Sequence, residues 1–287
     1  MTLFIDLRAT PSGGICAAEP SLWEDGTRLL STDAFESRVQ GLDVLLATHG
    51  FNVDREDGVR ALSTWSSLCR LPGAAVFVGV LWPGDSRYLP VIDYPFEGDE
   101  AIASGRLLAA FLNRRCAGAA SLSFASHSLG ARTVLEALRN LERKARRLIL
   151  MAGAIENDCL VREYATASQN VQEICVLSSR SDWVLKAAFP IGNPVGEILM
   201  HGHPYFKTAI GRSGPAQPIP LEQQGGAWKI PDGWDYGHGD YLPKGDATVE
   251  VRPPVAAPGP SDGIPVNPPV DGWKSAWSAG AVSTEFL

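Results

Sequence analysis

An α/β architecture, with a mostly parallel sheet and helices on both faces, follows from three observations on these 287 residues. Apolar runs of strand length alternate with helix-patterned stretches as far as Asp182. Those runs are continuous rather than alternating, which marks strands buried on both faces. Leu122 to Leu135, L-S-F-A-S-H-S-L-G-A-R-T-V-L, passes from a strand through a sharp turn into a helix with almost nothing between them.

The elements come in order. Leu42–Thr48 (L-D-V-L-L-A-T) is an apolar strand that stops at His49-Gly50-Phe51. Asp57–Leu68 has Val59, Leu62 and Trp65 along one face and is expected to be a helix. Ala74–Leu81 is the next strand, closed by Trp82-Pro83-Gly84-Asp85, and Asp99–Arg114 the next helix. The strand before Ser126 and a helix over Ala131–Arg143 follow, then strands over Arg147–Ala154 and Glu173–Ser178. Beyond Asp182, Trp183–Pro243 is rich in Gly, Pro and aromatics with little periodicity, so it is expected to form loops over the carboxyl edge of the sheet. Arg252–Pro269 is dominated by proline and suits neither an interior strand nor a helix. Trp273 and Trp277 beyond it favour an arm that docks over a solvated tail.

Composition narrows the class. A 45% hydrophobic content supports one large core, and a net charge of −7 argues against nucleic acid or an anionic membrane as partner. The basic cluster Arg143, Lys144, Arg146 and Arg147 is read as a solvated helix end. Five cysteines without C-x-x-C spacing fit a reduced protein better than a disulfide framework or a zinc site. The start M-T-L-F-I-D-L-R lacks the pattern of a signal peptide, and no run reaches the ~20 apolar residues of a membrane span. A cytoplasmic location is expected.

The turn in the third observation carries the chemistry. Its apex residue, Ser128, must take a strained conformation that only small neighbours two positions away tolerate, and Ser126 and Gly130 occupy those positions. That geometry lifts a hydroxyl off the sheet edge toward the first amides of a helix, where negative charge is favoured. A serine so placed still needs a base, an orienting acid and an oxyanion hole. One amide of the hole is expected from Leu129, and the other from Phe51 in the His49-Gly50-Phe51-Asn52 loop, where Gly50 permits close approach. For the acid, Asp182 at the end of L-S-S-R-S-D ranks ahead of Asp158, behind which stands Glu156. For the base, His238 in D-Y-G-H-G-D-Y-L ranks ahead of His203. The pair His201 and His203 lacks the further ligands that a metal site requires.

These segments together resemble a known family. V-L-L-A-T-H-G-F-N at 44–52, L-W-P at 81–83, S-H-S-L-G at 126–130, S-S-R-S-D at 178–182 and G-H-G-D-Y-L at 237–242 look like an α/β-hydrolase. More narrowly they resemble a bacterial family of hydrolases of unassigned substrate, related to esterases and lipases, with an H-G-F-N loop and an H-S-x-G elbow. The segment Ala209–Pro215 also resembles that family. The resemblance spans roughly Leu42–Leu242. It departs from the usual pattern at Ser126, where a glycine is customary.

The resemblance implies Ser128 as nucleophile, His238 as base, Asp182 as acid and Phe51 and Leu129 as oxyanion donors. It implies a serine hydrolase of carboxylic esters that needs no metal or organic cofactor and takes a small-molecule acyl ester as its partner. His49, Trp82, His127 and Trp183 are candidate pocket residues, and the aromatics Phe51, Tyr88, Phe189 and Tyr205 would also suit an acyl chain or aromatic group. The expected organisation is an extension over 1–41 packed on the core, an α/β-hydrolase domain over 42–250 with cap-like loops at 183–237, and a Pro-rich arm or tail over 251–287. The alternatives are a non-catalytic protein of the same fold that binds a ligand or partner, and an acyltransferase that uses an alcohol in place of water.

Overall fold

The computed structural model describes residues 1–10, 15–69, 71, 73–85, 94–187, 208–217, 224–230 and 235–242. The Pro-rich arm, most of the cap-like loops, and Tyr88, Phe189, His201, His203 and Tyr205 lie outside the described residues.

Among the described residues nine strands form one sheet: β1 (Leu3–Arg8), β2 (Cys16–Glu24), β3 (Arg28–Leu29), β4 (Asp43–Thr48), β5 (Ala75–Leu81), β6 (Ser121–His127), β7 (Ala145–Met151), β8 (Val171–Ser178) and β9 (Gln224–Lys229). Their spatial order is β3-β2-β1-β5-β4-β6-β7-β8-β9. From β1 to β9 every neighbouring pair is parallel, and β2 adds an antiparallel ladder outside β1. The helices are α1 (Thr32–Val39), α2 (Arg55–Leu68), α3 (Tyr94–Arg115), α4 (Gly130–Arg139), α5 (Ala165–Gln169), α6 (Trp183–Ala187) and α7 (Ile210–Ser213). Among the described residues no helix is long and apolar enough to cross a membrane.

The order of strands locates the site. The chain leaves β4 for β5 on one side, then returns to place β6 on the other. The loops after β4 and β6 therefore diverge, and the crevice between them is the switch point at which open α/β sheets bind ligands. Both strands are buried along nearly their whole length, and Thr48 pairs with Ser126 at their ends.

Packing explains why the helices sit where they do. Trp65 of α2 meets Phe77 of β5 edge to face at 5.6 Å between ring centroids. Helix α4 buries Ala131, Val134, Leu135 and Leu138 and lies close on α3. The close approach depends on Gly105, where a Cβ would stand 2.5 Å from the Thr133 carbonyl oxygen. Asp54 caps α2 by accepting from the Asp57 amide at 2.8 Å.

Three features differ from the sequence expectations. Helix α4 ends at Arg139 rather than Arg143, because the Asn140 side chain turns back to donate to the Glu136 carbonyl at 2.8 Å. The basic cluster is consequently not a helix end. Arg143 donates to the carbonyls of Ala119 and Ala120, while Arg146 and Arg147 belong to β7 and pair with Asp43 of β4 and Glu173 of β8. Within the stretch expected to be loops, Gln224–Lys229 forms β9 and pairs in parallel with β8. Residues 1–41 contribute β1, β2, β3 and α1, with β1 hydrogen-bonded to β5 inside the sheet.

Candidate active site

Only Ser128 and Leu129 separate β6 from α4. The turn is made by Ser128 at φ +54°, in the left-handed region that a residue with a Cβ occupies only under constraint. The constraint comes from β7 and the loop after it. The Ser128 amide donates to the Met151 carbonyl at 3.0 Å, and the Ala154 amide donates to the Ser128 carbonyl at 3.1 Å. Gly130 lets the helix start against β4, since a Cβ there would lie 2.4 Å from the His49 carbonyl oxygen. Ser126 fits where glycine is customary. It is fully buried and its hydroxyl donates to the Ile149 carbonyl at 3.3 Å.

Three side chains from distant parts of the chain form one hydrogen-bonded line. His238 Nε2 lies 2.8 Å from Ser128 Oγ, and its Nδ1 lies 2.8 Å from Asp182 Oδ2. Asp182 is fully buried and its Oδ1 accepts from the Leu185 amide at 2.9 Å, so the carboxylate also caps the short α6. A carboxylate accepts only, so Nδ1 carries the proton of the neutral ring. Nε2 then presents a lone pair to the serine hydroxyl.

The loop after β4 closes on this line. At Gly50 a Cβ would stand 2.9 Å from His127 Nδ1 and 3.0 Å from Ser128 Cβ, so the loop rests directly on the elbow. The loop is held from below: the Asn52 amide donates to the Gly84 carbonyl at 2.6 Å, and Arg8 donates to the Val53 carbonyl at 2.7 Å while pairing with Asp85. Phe51 follows Gly50 in that loop and is half-buried, and Leu129 heads α4.

The candidate pocket residues take different places. Trp82 is wholly buried and its indole N–H donates to the His49 carbonyl at 2.9 Å, with its ring stacked on the His49 imidazole. His49 is buried beside it and its Nδ1 donates to the Gly50 carbonyl at 2.8 Å. These two act as struts beneath the loop. Burial, with Arg8 nearby, lowers the His49 pKa to about 3. His127 is also buried, and its Nε2 donates to the His238 carbonyl at 2.7 Å. Burial, reinforced by His238, lowers its pKa to about 4, so the ring is neutral at pH 7. Trp183 stands 68% exposed at the start of α6, with Lys186 Nζ 4.2 Å above its ring.

The competing acid is engaged elsewhere, since Asp158 pairs with Arg162 and Glu156 with Arg132. Among the described residues no group of three or more His, Cys, Asp or Glu is placed to hold a metal. Sequence reasoning missed Ser179, whose hydroxyl donates to the Tyr236 carbonyl at 2.7 Å. It also missed Arg212, which donates to the carbonyls of Arg180 and Asp182. The signal for Arg212 was its place in Ala209–Pro215; Ser179 carried none, one serine among three in S-S-R-S-D.

A mostly parallel sheet with a strand–elbow–helix at its switch point, and a serine, aspartate and histidine in that chain order, defines an α/β hydrolase. Residues 31–214 match the family described as alpha/beta hydrolase of unknown function (DUF900), and the chain belongs to that family. Among solved structures, esterase PE8 aligns at 14% identity over 70% of this chain and 86% of its own, with a TM-score of 0.38. An esterase of Pyrobaculum calidifontis aligns at 12% identity over 70% of this chain and 69% of its own, TM-score 0.35. Esterase B of Lactobacillus rhamnosis aligns at 12% over 70% and 69%, TM-score 0.33. No curated protein matches the chain.

Proposed function

We propose that this protein is a serine hydrolase that cleaves a carboxylic ester through a Ser128–His238–Asp182 triad. The observation that carries the reading is the continuous line from Ser128 Oγ to His238 to the buried Asp182, each link 2.8 Å, with the serine at φ +54°. His238 Nε2 takes the hydroxyl proton as Oγ attacks the acyl carbon, and the carbonyl π pair moves onto oxygen. The amides of Phe51 and Leu129 hold that oxyanion, Leu129 doing so at the positive end of α4. His238 then protonates the leaving alkoxide as the C–O bond breaks. Water repeats the sequence, giving its proton to His238 and releasing the acid and the free serine. Asp182 keeps the Nδ1 proton in place throughout and stabilises the imidazolium. This route needs neither a metal nor an organic cofactor. None of the five cysteines, all among the described residues, is in a disulfide, which supports a reducing compartment, and we place the protein in the cytoplasm on that ground.

Intact-mass measurement after treatment with a fluorophosphonate tests the reading. The expected result is one stoichiometric adduct that Ser128→Ala abolishes. Removal of a triad member by Ser128→Ala or His238→Ala should lower ester turnover by roughly 10⁴-fold or more, while His203→Ala retains it. Folded wild type that takes no adduct and turns over no ester would refute the proposal. Loss of turnover in His203→Ala but not in His238→Ala would refute the choice of base.

A further inference from the structure

We infer that His127 and Ser179 are positioning residues for the base, acting through the backbone that carries His238; the inference rests on the triad reading above. His238 sits in an irregular segment, residues 235–242, that belongs to no helix or strand. Its flanks include Gly237 and Gly239, and Asp235 is at φ +49°. Such a segment has no ladder to fix it, yet a base must hold its geometry closely, because misplacement by ~1 Å costs about 10²-fold in rate.

Two side-chain donors supply the missing constraint. His127 Nε2–H donates to the His238 carbonyl at 2.7 Å, and Ser179 Oγ–H donates to the Tyr236 carbonyl at 2.7 Å. The two acceptors bracket Gly237 and the φ and ψ of His238 itself. Both donors are buried, His127 at 8% and Ser179 at 1% exposure, where a hydrogen bond meets little competition from water. Within the segment, Asp240 adds a local clasp by accepting from the Gly237 amide at 2.8 Å.

The position of each donor is informative. His127 immediately precedes Ser128 at the end of β6, and Ser179 lies three residues before Asp182 at the end of β8. One anchor therefore moves with the nucleophile and the other with the acid. The base is registered against both of the groups it must join. A neutral His127 also keeps a second positive charge away from a ring whose centroid is only 4.9 Å from its own when His238 becomes imidazolium. Neither anchor touches the reacting atoms.

Two substitutions separate donation from packing. His127→Gln keeps a donor at similar reach and loses the ring, whereas His127→Phe keeps the ring and loses the donor. With p-nitrophenyl acetate, His127→Phe is expected to lower kcat by about 100-fold with KM nearly unchanged, the size that ~1 Å of displacement produces. His127→Gln should stay within about 10-fold of wild type, and Ser179→Thr should restore what Ser179→Ala loses. Amide hydrogen exchange over 235–242 should accelerate in His127→Phe and Ser179→Ala. A His127→Phe enzyme that equals or exceeds His127→Gln would overturn the inference, and so would unchanged exchange in both donor-less variants. Should wild type take no fluorophosphonate and turn over no ester, the hydrolase reading fails. Faster exchange in His127→Phe but not in His127→Gln would still support the anchor, and equal protection would overturn it.

Discussion

Gly130→Ala is the sharpest test of how the elbow is built. An ideal Cβ at this position would stand 2.4 Å from the His49 carbonyl oxygen, 2.7 Å from Thr48 Oγ1 and 3.3 Å from Thr48 Cβ. Relief to ordinary contact requires roughly 1 Å of movement, and the nearest atom is backbone, which cannot rotate away. The same carbonyl accepts the Trp82 indole N–H at 2.9 Å, so moving it strains a buried hydrogen bond. Overpacking costs about 1–3 kcal/mol, and weakening the hydrogen bond adds roughly 1 kcal/mol. Alanine recovers up to about 1 kcal/mol as a better helix former. The net loss is on the order of 1–3 kcal/mol, a fall in melting temperature of roughly 2–5 °C for a chain of this size. The loop beside Ser128 shifts with it, so fluorophosphonate labelling should slow by about 10²-fold. Gly73→Ala is the control, because a Cβ there meets nothing within 4 Å and should change neither quantity. Equal melting temperatures and labelling rates for Gly130→Ala and wild type would refute the claim that helix and loop meet without room for a methyl group.

Three further expectations follow from the same contacts. Trp82→Phe keeps only a smaller aromatic ring and leaves the buried His49 carbonyl without its donor, and should lower stability by about 1–3 kcal/mol; an unchanged urea midpoint would contradict the strut assigned to Trp82. His127 and His49 have folded pKa values lowered to about 4 and about 3, below the ordinary value near 6.5. The unfolded chain therefore binds more protons in that interval, so stability is complete above about pH 6.5 and declines as pH falls toward 4, by on the order of 3 kcal/mol for His127 alone. Denaturation midpoints that stay level from pH 7 to 4.5 would contradict this. Ser126→Gly removes the bond to the Ile149 carbonyl and adds backbone freedom, so it should destabilise by about 1 kcal/mol without speeding fluorophosphonate labelling. A marked acceleration would show that Ser126 distorts the elbow.

What the sequence conveyed and what it withheld divide along a physical line. Strands β4 to β8 were legible because strands covered on both faces must be apolar throughout, a pattern that survives without tertiary knowledge. That Ser128, Asp182 and His238 would meet was legible because nucleophile chemistry restricts the residue types and the fold restricts their order. Strand β9 was not, since Q-G-G-A-W-K has two adjacent glycines and no alternation; its register comes from β8, not from its own propensity. The end of α4 was hidden for a related reason, as one asparagine side chain folding back on Glu136 decides it. The supporting contacts of the site were the least visible. His127 reaches across 111 positions to the carbonyl of His238, Ser179 across 57 to that of Tyr236, and Trp82 across 33 to that of His49. Every acceptor is a main-chain oxygen, which any residue supplies, so the accepting position leaves no mark in the sequence. The donors therefore resemble ordinary strand-end residues, although His127 and Ser179 tie down two carbonyls of the segment that carries His238.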